Sequence, residues 1–309
     1  MKAVRIHEFG PPSVIVIDEL PRPVPRPGEV LVQVKAAGVG PWDALIRERK
    51  SVVNVGLPLI LGSDLSGVIE EIGPGVSGFK SGDEIYGCTN ADFCGAYTEY
   101  AIASASMVAR KPQGLSDVEA ASVPVVAVTA WQMLFEYAQA KAGQKVLVHG
   151  GAGNVGAYAV QLASQAKLEV VATAATKDTT YVRSLGANRV LDYRSTAFED
   201  EVSGVDIVID TVGDTQDRSM KVLQPGGILV SVVSPFPETM GKKNVRTVFF
   251  LVDVTTGRLN KLTDLFEGHK LRTEVGSVLP LEQARTAHEM LAGAPHEHGK
   301  IVLVPTPKN

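Results

Sequence analysis

The sequence predicts an α/β protein with two domains, a barrel-like β domain followed by a doubly wound parallel sheet. Three observations carry that reading. The chain has 309 residues, enough for about two domains at roughly 100–200 residues each. Residues 1–123 hold short β-like runs broken by Pro and Gly, the pattern of a barrel. From Pro124 onward apolar runs alternate with helical patterns, the pattern of parallel strands joined by crossover helices.

In the first stretch, PRPVPRPGE (21–29) is a proline-rich, extended connection. EVLVQVKAAGV (29–39) alternates like a half-buried strand. LPLILGSDLSGVIEEIG (57–73) and GDEIYGC (82–88) are further strand candidates, and a short helix is expected at about 43–49. The second stretch, 124–256, opens with PVVAVTAWQMLFEYAQA (124–140), a helix with proline near its start. KVLVHG, LEVVATAA, RVLDY, VDIVIDTV and GGILVSVVS then read as strands buried on both faces, with helices NVGAYAVQLASQAK and KDTTYVRSLG between the first of them. Residues 257–309 add two helix candidates and two strand candidates. This tail is too small for a domain of its own, so it is expected to rejoin one of the first two.

Composition narrows the function classes. Net charge is −4 with no concentrated basic face, which excludes nucleic acid as the expected partner. The Lys242–Lys243 pair is too short to count. No apolar run reaches the roughly 20 residues of a membrane span, and MKAVRIHEFGPPS reads as a strand and turn rather than a secretory signal. A cytoplasmic location is the expectation. Cys88 and Cys94 are expected as free thiols, a disulfide being the alternative. The HEH triplet at His296 and His298 reads as a solvated loop, since no third or fourth metal ligand is near it in sequence. No metal is expected.

The motif that carries chemistry is HGGAGNVGAYAVQLA (149–163). Gly151, Gly153 and Gly156 form G-x-G-x-x-G directly after a strand and at the opening of a helix, the context a dinucleotide fingerprint requires. On this reading Gly151 permits the tight turn, Gly153 lets backbone approach a pyrophosphate, and Gly156 lets the helix pack closely. The N–H groups of Asn154, Val155 and Gly156 face the anion at the positive end of the helix dipole. A ligand-free glycine-rich turn is the alternative. The second strand selects the nucleotide. A site for NAD carries Asp or Glu at its end, whereas VVATAAT (170–176) is uncharged, ends in the hydroxyl of Thr176 and is followed at once by Lys177. Hydroxyls and cations attract a 2′-phosphate, so NADPH is the expected cofactor. The alternative for Lys177 is a solvated residue in a first helical turn.

These segments together resemble the zinc-independent quinone oxidoreductase branch of the medium-chain dehydrogenase/reductase superfamily, which includes alkenal/enone reductases. The resemblance runs through VKAAGVGPWDALIR, LPLILGSDLSGVIEEIGPGVSGFKSGDEIYG, AYTEYA, TAWQML, the GGAGNVG loop, SLGANRVLDYR and PLEQARTAHEML…GKIVLVP. It implies a GroES-like β-barrel domain plus a Rossmann domain, the tail rejoining the barrel. Zinc-binding members read ACGVCHTD and GHE where this chain has AAGVGPWD and GSD. Gly40 thus stands at the catalytic cysteine position and Ser63 at a zinc-binding histidine. Relatives often carry Asn at the position of Gly40 and some carry Tyr at that of Leu45, which makes the pocket here more apolar.

The resemblance also implies site residues. Thr129 falls near the nicotinamide and Tyr193 near the 2′-phosphate. Thr211 and Val212 of DTVG, with Val233 and Ser234, lie at carboxyl ends of strands, and Phe250 and Val252 of FFLV near the carboxamide. FFLV reads alternatively as an interface strand. Lys300 is placed with the cofactor, the alternative being a solvent-exposed strand residue. Gly40, Trp42, Asp43, Ser63, Phe93 and Phe249 are the expected substrate pocket, with core packing the alternative for the aromatics. Asp43 and Arg47 read alternatively as a structural i, i+4 ion pair. The implied reaction is hydride transfer to a quinone or to the β-carbon of an α,β-unsaturated carbonyl. No side chain stands out as the acid, so water is the expected proton donor. A cofactor-binding protein without turnover and an enoyl reductase on a carrier-bound acyl chain are the competing readings. GGILVSVVS resembles the edge strand through which relatives pair, which implies a homodimer.

Overall fold

The structure, a computed structural model, describes residues 1–236, 244–295 and 297–306. Lys242, Lys243 and His296 lie outside the described residues. The chain divides into two compact units, residues 1–125 with 254–309, and residues 126–253. The division at Val125 falls inside a helix, Pro124–Trp131.

The first unit is built on a seven-stranded sheet. Its order runs Val275–Pro280, Lys300–Val304, Glu29–Val39, Asp64–Ile72, Glu84–Cys88, Val108–Arg110, and Tyr100–Ser104 pairs with the first half of Glu29–Val39. Ile15–Glu19, Lys2–Ile6 and Leu59–Ile60 form a second, antiparallel sheet. Alternation along Glu29–Val39 sends Val30, Val32 and Val34 into one core with Leu65, Ile69, Ile85 and Leu303. The tail enters this core through Lys300–Val304, which pairs antiparallel with the end of Glu29–Val39, Ile301 opposite Val39 and Leu303 opposite Ala37. A tail of about fifty residues buries its apolar strand this way because it lacks a core of its own. The short helix is Pro41–Arg47, opened by proline and capped by Asp43.

The second unit is a six-stranded, all-parallel sheet in the order Arg189–Asp192, Glu169–Ala174, Lys145–His149, Val205–Asp210, Leu223–Ser231, Arg246–Phe249. Numbered from its first strand this is 3-2-1-4-5-6, the doubly wound order whose crevice at the strand carboxyl ends takes a dinucleotide. Two expectations change here. The strand containing GGILVS is not an edge. Arg246–Phe249 pairs with it, Leu229 opposite Thr247, and is the edge on that side. The helix expected over 124–140 is α-helical only to Trp131 and continues in wider π turns over Gln132–Tyr137.

Candidate cofactor and substrate sites

In the second unit the strand Lys145–His149 runs into the glycine turn, and each glycine has a separate steric reason. The left-handed residue is Gly150, at φ +70°, rather than Gly151. A Cβ there meets Thr211 Oγ1 at 2.8 Å. Gly151 instead permits close packing, since its Cβ meets the Ala172 Cβ at 2.9 Å. At Gly156 a Cβ lies 2.1 Å from the Gly150 carbonyl oxygen, so only glycine lets the helix start against the turn. Gly153 is exposed, and its Cβ meets only the Gly150 oxygen, at 3.2 Å. The helix Asn154–Gln165 begins with no side-chain cap on it. Uncapped N–H groups at an accessible helix start form an anion site, so the turn fits a pyrophosphate.

A buried hydrogen-bond network shapes the neighbouring loops. The Asp210 carboxylate accepts from the N–H groups of Val212 (3.1 Å) and Gly213 (2.8 Å) and from the Ser231 hydroxyl (2.8 Å). Gln216 Nε2 donates to Asp210 (3.3 Å) and to the Ser234 carbonyl (3.2 Å). The Thr211 hydroxyl donates to the His149 carbonyl at 2.7 Å, tying this loop to the first strand. His149 itself is buried with Nε2 2.9 Å from Ser219 Oγ, and burial pushes its pKa down to about 4. Val212 and Val233 are left half-exposed at the loop tips. His149 and Asp210 stand at the ends of their strands, beside the glycine turn and at the head of DTVG, whereas Gln216, which opens the helix Gln216–Val222, carries no motif of its own.

At the end of the second strand Thr176 and Lys177 are exposed, as is Tyr193. The third strand adds what the sequence reading missed. Its register sets Asp192 opposite Ala174, and the Thr176 hydroxyl donates to the Asp192 carboxylate. That bond holds Asp192 below the usual carboxylate range. Arg194 follows, its backbone N–H on Asp192 (2.8 Å) and its Nε 3.3 Å from the Tyr193 hydroxyl. The uncharged end of the second strand is therefore flanked by two anions, Asp192 and Asp178, and by a second cation, Arg194. Thr129 is buried on the helix Pro124–Trp131. Phe250 is buried against Tyr137, ring centroids 4.2 Å apart, with Phe249 ending the edge strand and Val252 half-buried.

In the first unit the pocket residues Gly40, Trp42 and Ser63 do meet. Trp42 Nε1 donates to Ser63 Oγ at 3.0 Å. Lys300 joins them. Its ammonium is 3.2 Å from Asp64 Oδ2 and 4.2 Å from the centroid of the Trp42 ring, and the residue is 1% exposed. The alternative of a solvent-exposed strand residue is overturned, because the strand carries Lys300 inward. As a cofactor residue it is found with its charge already committed to Asp64. Asp64 also accepts from the Val125 N–H (3.1 Å) and the Cys88 thiol (3.4 Å). Cys88 and Cys94 are free thiols.

Asp43 is fully buried, and its Oδ2 accepts from the Gly40 N–H and the Tyr97 hydroxyl, both at 2.8 Å. Oδ1 has no partner, and desolvation raises the pKa to about 7. The expected ion pair with Arg47 is absent among the described residues. Arg47 Nε donates to His288 Nδ1 (3.2 Å), and its other nitrogens serve the Gly10 carbonyl and Glu48. Since Arg47 is always a donor, His288 is the neutral Nε2–H tautomer. Burial and Arg47 push its pKa down to about 3. Phe93 packs against the barrel core. No group of three or more His, Cys, Asp or Glu side chains that could hold a metal ion occurs among the described residues, nor is any helix long and apolar enough to cross a membrane.

Residues 26–113 match the alcohol dehydrogenase GroES-like domain and residues 185–303 the zinc-binding dehydrogenase family. The chain is 32% identical to the quinone oxidoreductase of Lama guanicoe, over 98% of this chain and 97% of that one. It is 30% identical to a chloroplastic NADPH-dependent alkenal/one oxidoreductase of Arabidopsis thaliana, over 99% and 80%. The solved quinone oxidoreductase of Coxiella burnetii superposes with a TM-score of 0.90 at 34% identity, over 99% of both chains. A GroES-like barrel unit, a 3-2-1-4-5-6 sheet with a dinucleotide turn, and likeness to these relatives over nearly the whole chain converge. The protein belongs to the quinone oxidoreductase branch of the medium-chain dehydrogenase/reductase family and is an oxidoreductase that uses a nicotinamide cofactor.

Proposed function

We propose that the protein is an NADPH-dependent reductase that passes a hydride, without zinc, to a quinone or to the β-carbon of an α,β-unsaturated carbonyl. The observation that carries this reading is the uncapped helix start at the glycine turn, with Thr176, Lys177, Tyr193 and Arg194 grouped at the ends of the next two strands. Gly151, Gly153, Asn154, Val155 and Gly156 hold the pyrophosphate. Lys177, with Thr176, Tyr193 and Arg194, takes the 2′-phosphate against the opposing charge of Asp192. Thr211, Val212, Val233, Ser234, Thr129, Phe250 and Val252 line the remainder, with Asp210 holding the Val212–Gly213 loop and Gln216 the loop at Ser234. A bound nicotinamide supplies the hydride. Gly40, Trp42, Asp43, Ser63 and Phe93 of the first unit are assigned to the acceptor's pocket. Catalysis then rests on positioning and on hydrogen bonds to the developing oxyanion, with water as proton donor.

The reading includes a cytoplasmic homodimer, for which Arg246–Phe249 is the available sheet edge. Steady-state oxidation of NADPH and NADH with a panel of quinones and enones tests the activity. Turnover with NADPH preferred is the expected result, and cofactor binding without turnover overturns it in favour of a binding protein. Metal analysis is expected to find no stoichiometric zinc. Stoichiometric zinc, with activity lost on chelation, overturns the metal-free part.

A further inference from the structure

Trp42 is gripped by its near neighbour Gly40 and by two residues distant along the chain, Ser63 and Lys300. Its indole N–H is held by Ser63 Oγ at 3.0 Å. The Lys300 ammonium lies 4.2 Å from its ring centroid. The ring also covers Gly40 so closely that a Cβ there lies 2.3 Å from Cη2 and 2.4 Å from Cζ2 and Cζ3. Yet Trp42 is only partly buried. It is a fixed ring with an accessible surface, not a core side chain.

The support behind the ring is built at a cost. Lys300 and Asp64 form an ion pair at 3.2 Å with exposures of 1% and 0%. Burying two charges loses their hydration, and a pair of apolar side chains serves stability as well or better. Asp64 is in turn fixed by the Val125 N–H and the Cys88 thiol. Gly38 makes room for the lysine stem, since a Cβ there lies 3.2 Å from Lys300 Cε and 2.3 Å from the Ala121 oxygen. What this pair does beyond stability is to set a cation against one particular ring, an attraction worth about a fivefold bias in ring orientation or more when desolvated.

We propose that Trp42 is the specificity-determining residue of the acceptor pocket, a rigid wall that favours planar conjugated rings of the quinone class over short aliphatic enals, and that Lys300 is the positioning residue that holds it. This rests on the assignment of Gly40, Trp42 and Ser63 to the acceptor's pocket. A fixed indole offers a flat face on which a planar acceptor stacks at little entropic cost, whereas a short enal covers only a fraction of it.

The test uses the full-length protein in a Trp131→Phe background, which leaves Trp42 as the sole tryptophan. Trp42→Leu is expected to lower the ratio of kcat/KM for a naphthoquinone to that for a short enal by about tenfold. NADPH affinity, read by nucleotide fluorescence, stays at the starting value. Ser63→Ala and the double variant Asp64→Asn/Lys300→Met, which leaves no unpaired buried charge, are expected to lower the ratio about threefold to fivefold each. Both also shift the emission of Trp42 to the red, and Lys300→Arg restores ratio and emission in part. An unchanged ratio in Trp42→Leu overturns the specificity role. Unchanged emission in the double variant overturns the positioning role, and it does so whether or not turnover is seen. Absence of turnover with both acceptors in the starting protein overturns the reductase reading instead.

Discussion

The glycine turn of the second unit and the buried polar cluster of the first are two ways to build a site. The turn is made of backbone within seven consecutive residues, 150–156, and its chemistry is that of bare N–H groups. The cluster is made of side chains from residues near 40, 63, 88, 97, 288 and 300, and its chemistry is that of charges held out of water. The first tolerates almost no added atoms but has no titrating group. The second has spare hydrogen-bonding capacity at Asp43 Oδ1 and His288 Nε2 and is set by protonation. A backbone site fails by steric exclusion, whereas a side-chain site fails by desolvation.

The sharpest break of that comparison is at Gly156. A Cβ 2.1 Å from the Gly150 oxygen cannot be relieved by rotating a side chain, since the neighbour is backbone. Gly156→Ala is expected to weaken NADPH binding by more than about a hundredfold, with Gly153→Ala, at 3.2 Å, much milder. Nucleotide fluorescence titration checks both, and equal affinities for the two variants would show that the turn is not the cradle.

The acid limb of stability belongs to the side-chain region. His288 is held neutral down to about pH 3 when folded, but titrates near 6.5 once unfolded. Between those values the unfolded chain binds a proton that the folded chain refuses, so stability falls as pH drops from about 6.5 toward 3. His149, with its pKa at about 4, adds a contribution of the same sign from the second unit. His288→Gln is expected to move the acid midpoint of unfolding to lower pH without abolishing the limb. Circular dichroism against pH checks it, and an unmoved midpoint removes His288 from the account.

Lys177→Ala sharpens the comparison, because it adds side-chain recognition at the rim of the backbone site. Losing a charge-assisted bond of about 1.5–3 kcal/mol weakens NADPH binding by roughly one to two decades. NADH binding hardly changes, since it has no phosphate there. Equal loss of both cofactors, measured at fixed ionic strength, would make Lys177 a support of the loop. The smallest effect is expected at Asp43. Its folded pKa of about 7 lies above its unfolded value near 3.9, so the folded state holds the extra proton and stability declines as pH rises from about 4 to 7. Asp43→Asn keeps an acceptor for Gly40 and Tyr97 and removes the titration. Denaturant melts of the variant should lose that decline and keep the rise with pH that His288 and His149 give over the same window, and a slope equal to wild type would count against it.

Much of the fold was legible for a physical reason. Strand and helix periods are local, and the alternation after Pro124 admits few topologies other than a parallel sheet. What pattern reading misplaced were properties of neighbours. GGILVSVVS has the same apolar run whether it is an edge or is covered by Arg246–Phe249. Asp43 and Arg47 sit at i, i+4 whether they pair or, as here, turn to Tyr97 and to His288.

The sequence by itself determined the fold class, the glycine turn at a helix start and the cofactor class. Each depends on residues adjacent along the chain, where glycine sterics and helix-end N–H groups leave little choice. Only the tertiary structure decided that Gly150 rather than Gly151 is left-handed, that Asp192 and Arg194 flank Thr176 and Lys177, and that Lys300 lies buried on Asp64 beneath Trp42. Those outcomes turn on which side chains from distant segments share a space without water. Desolvation and pairing are settled by the packed neighbours, and no spacing along the chain encodes them.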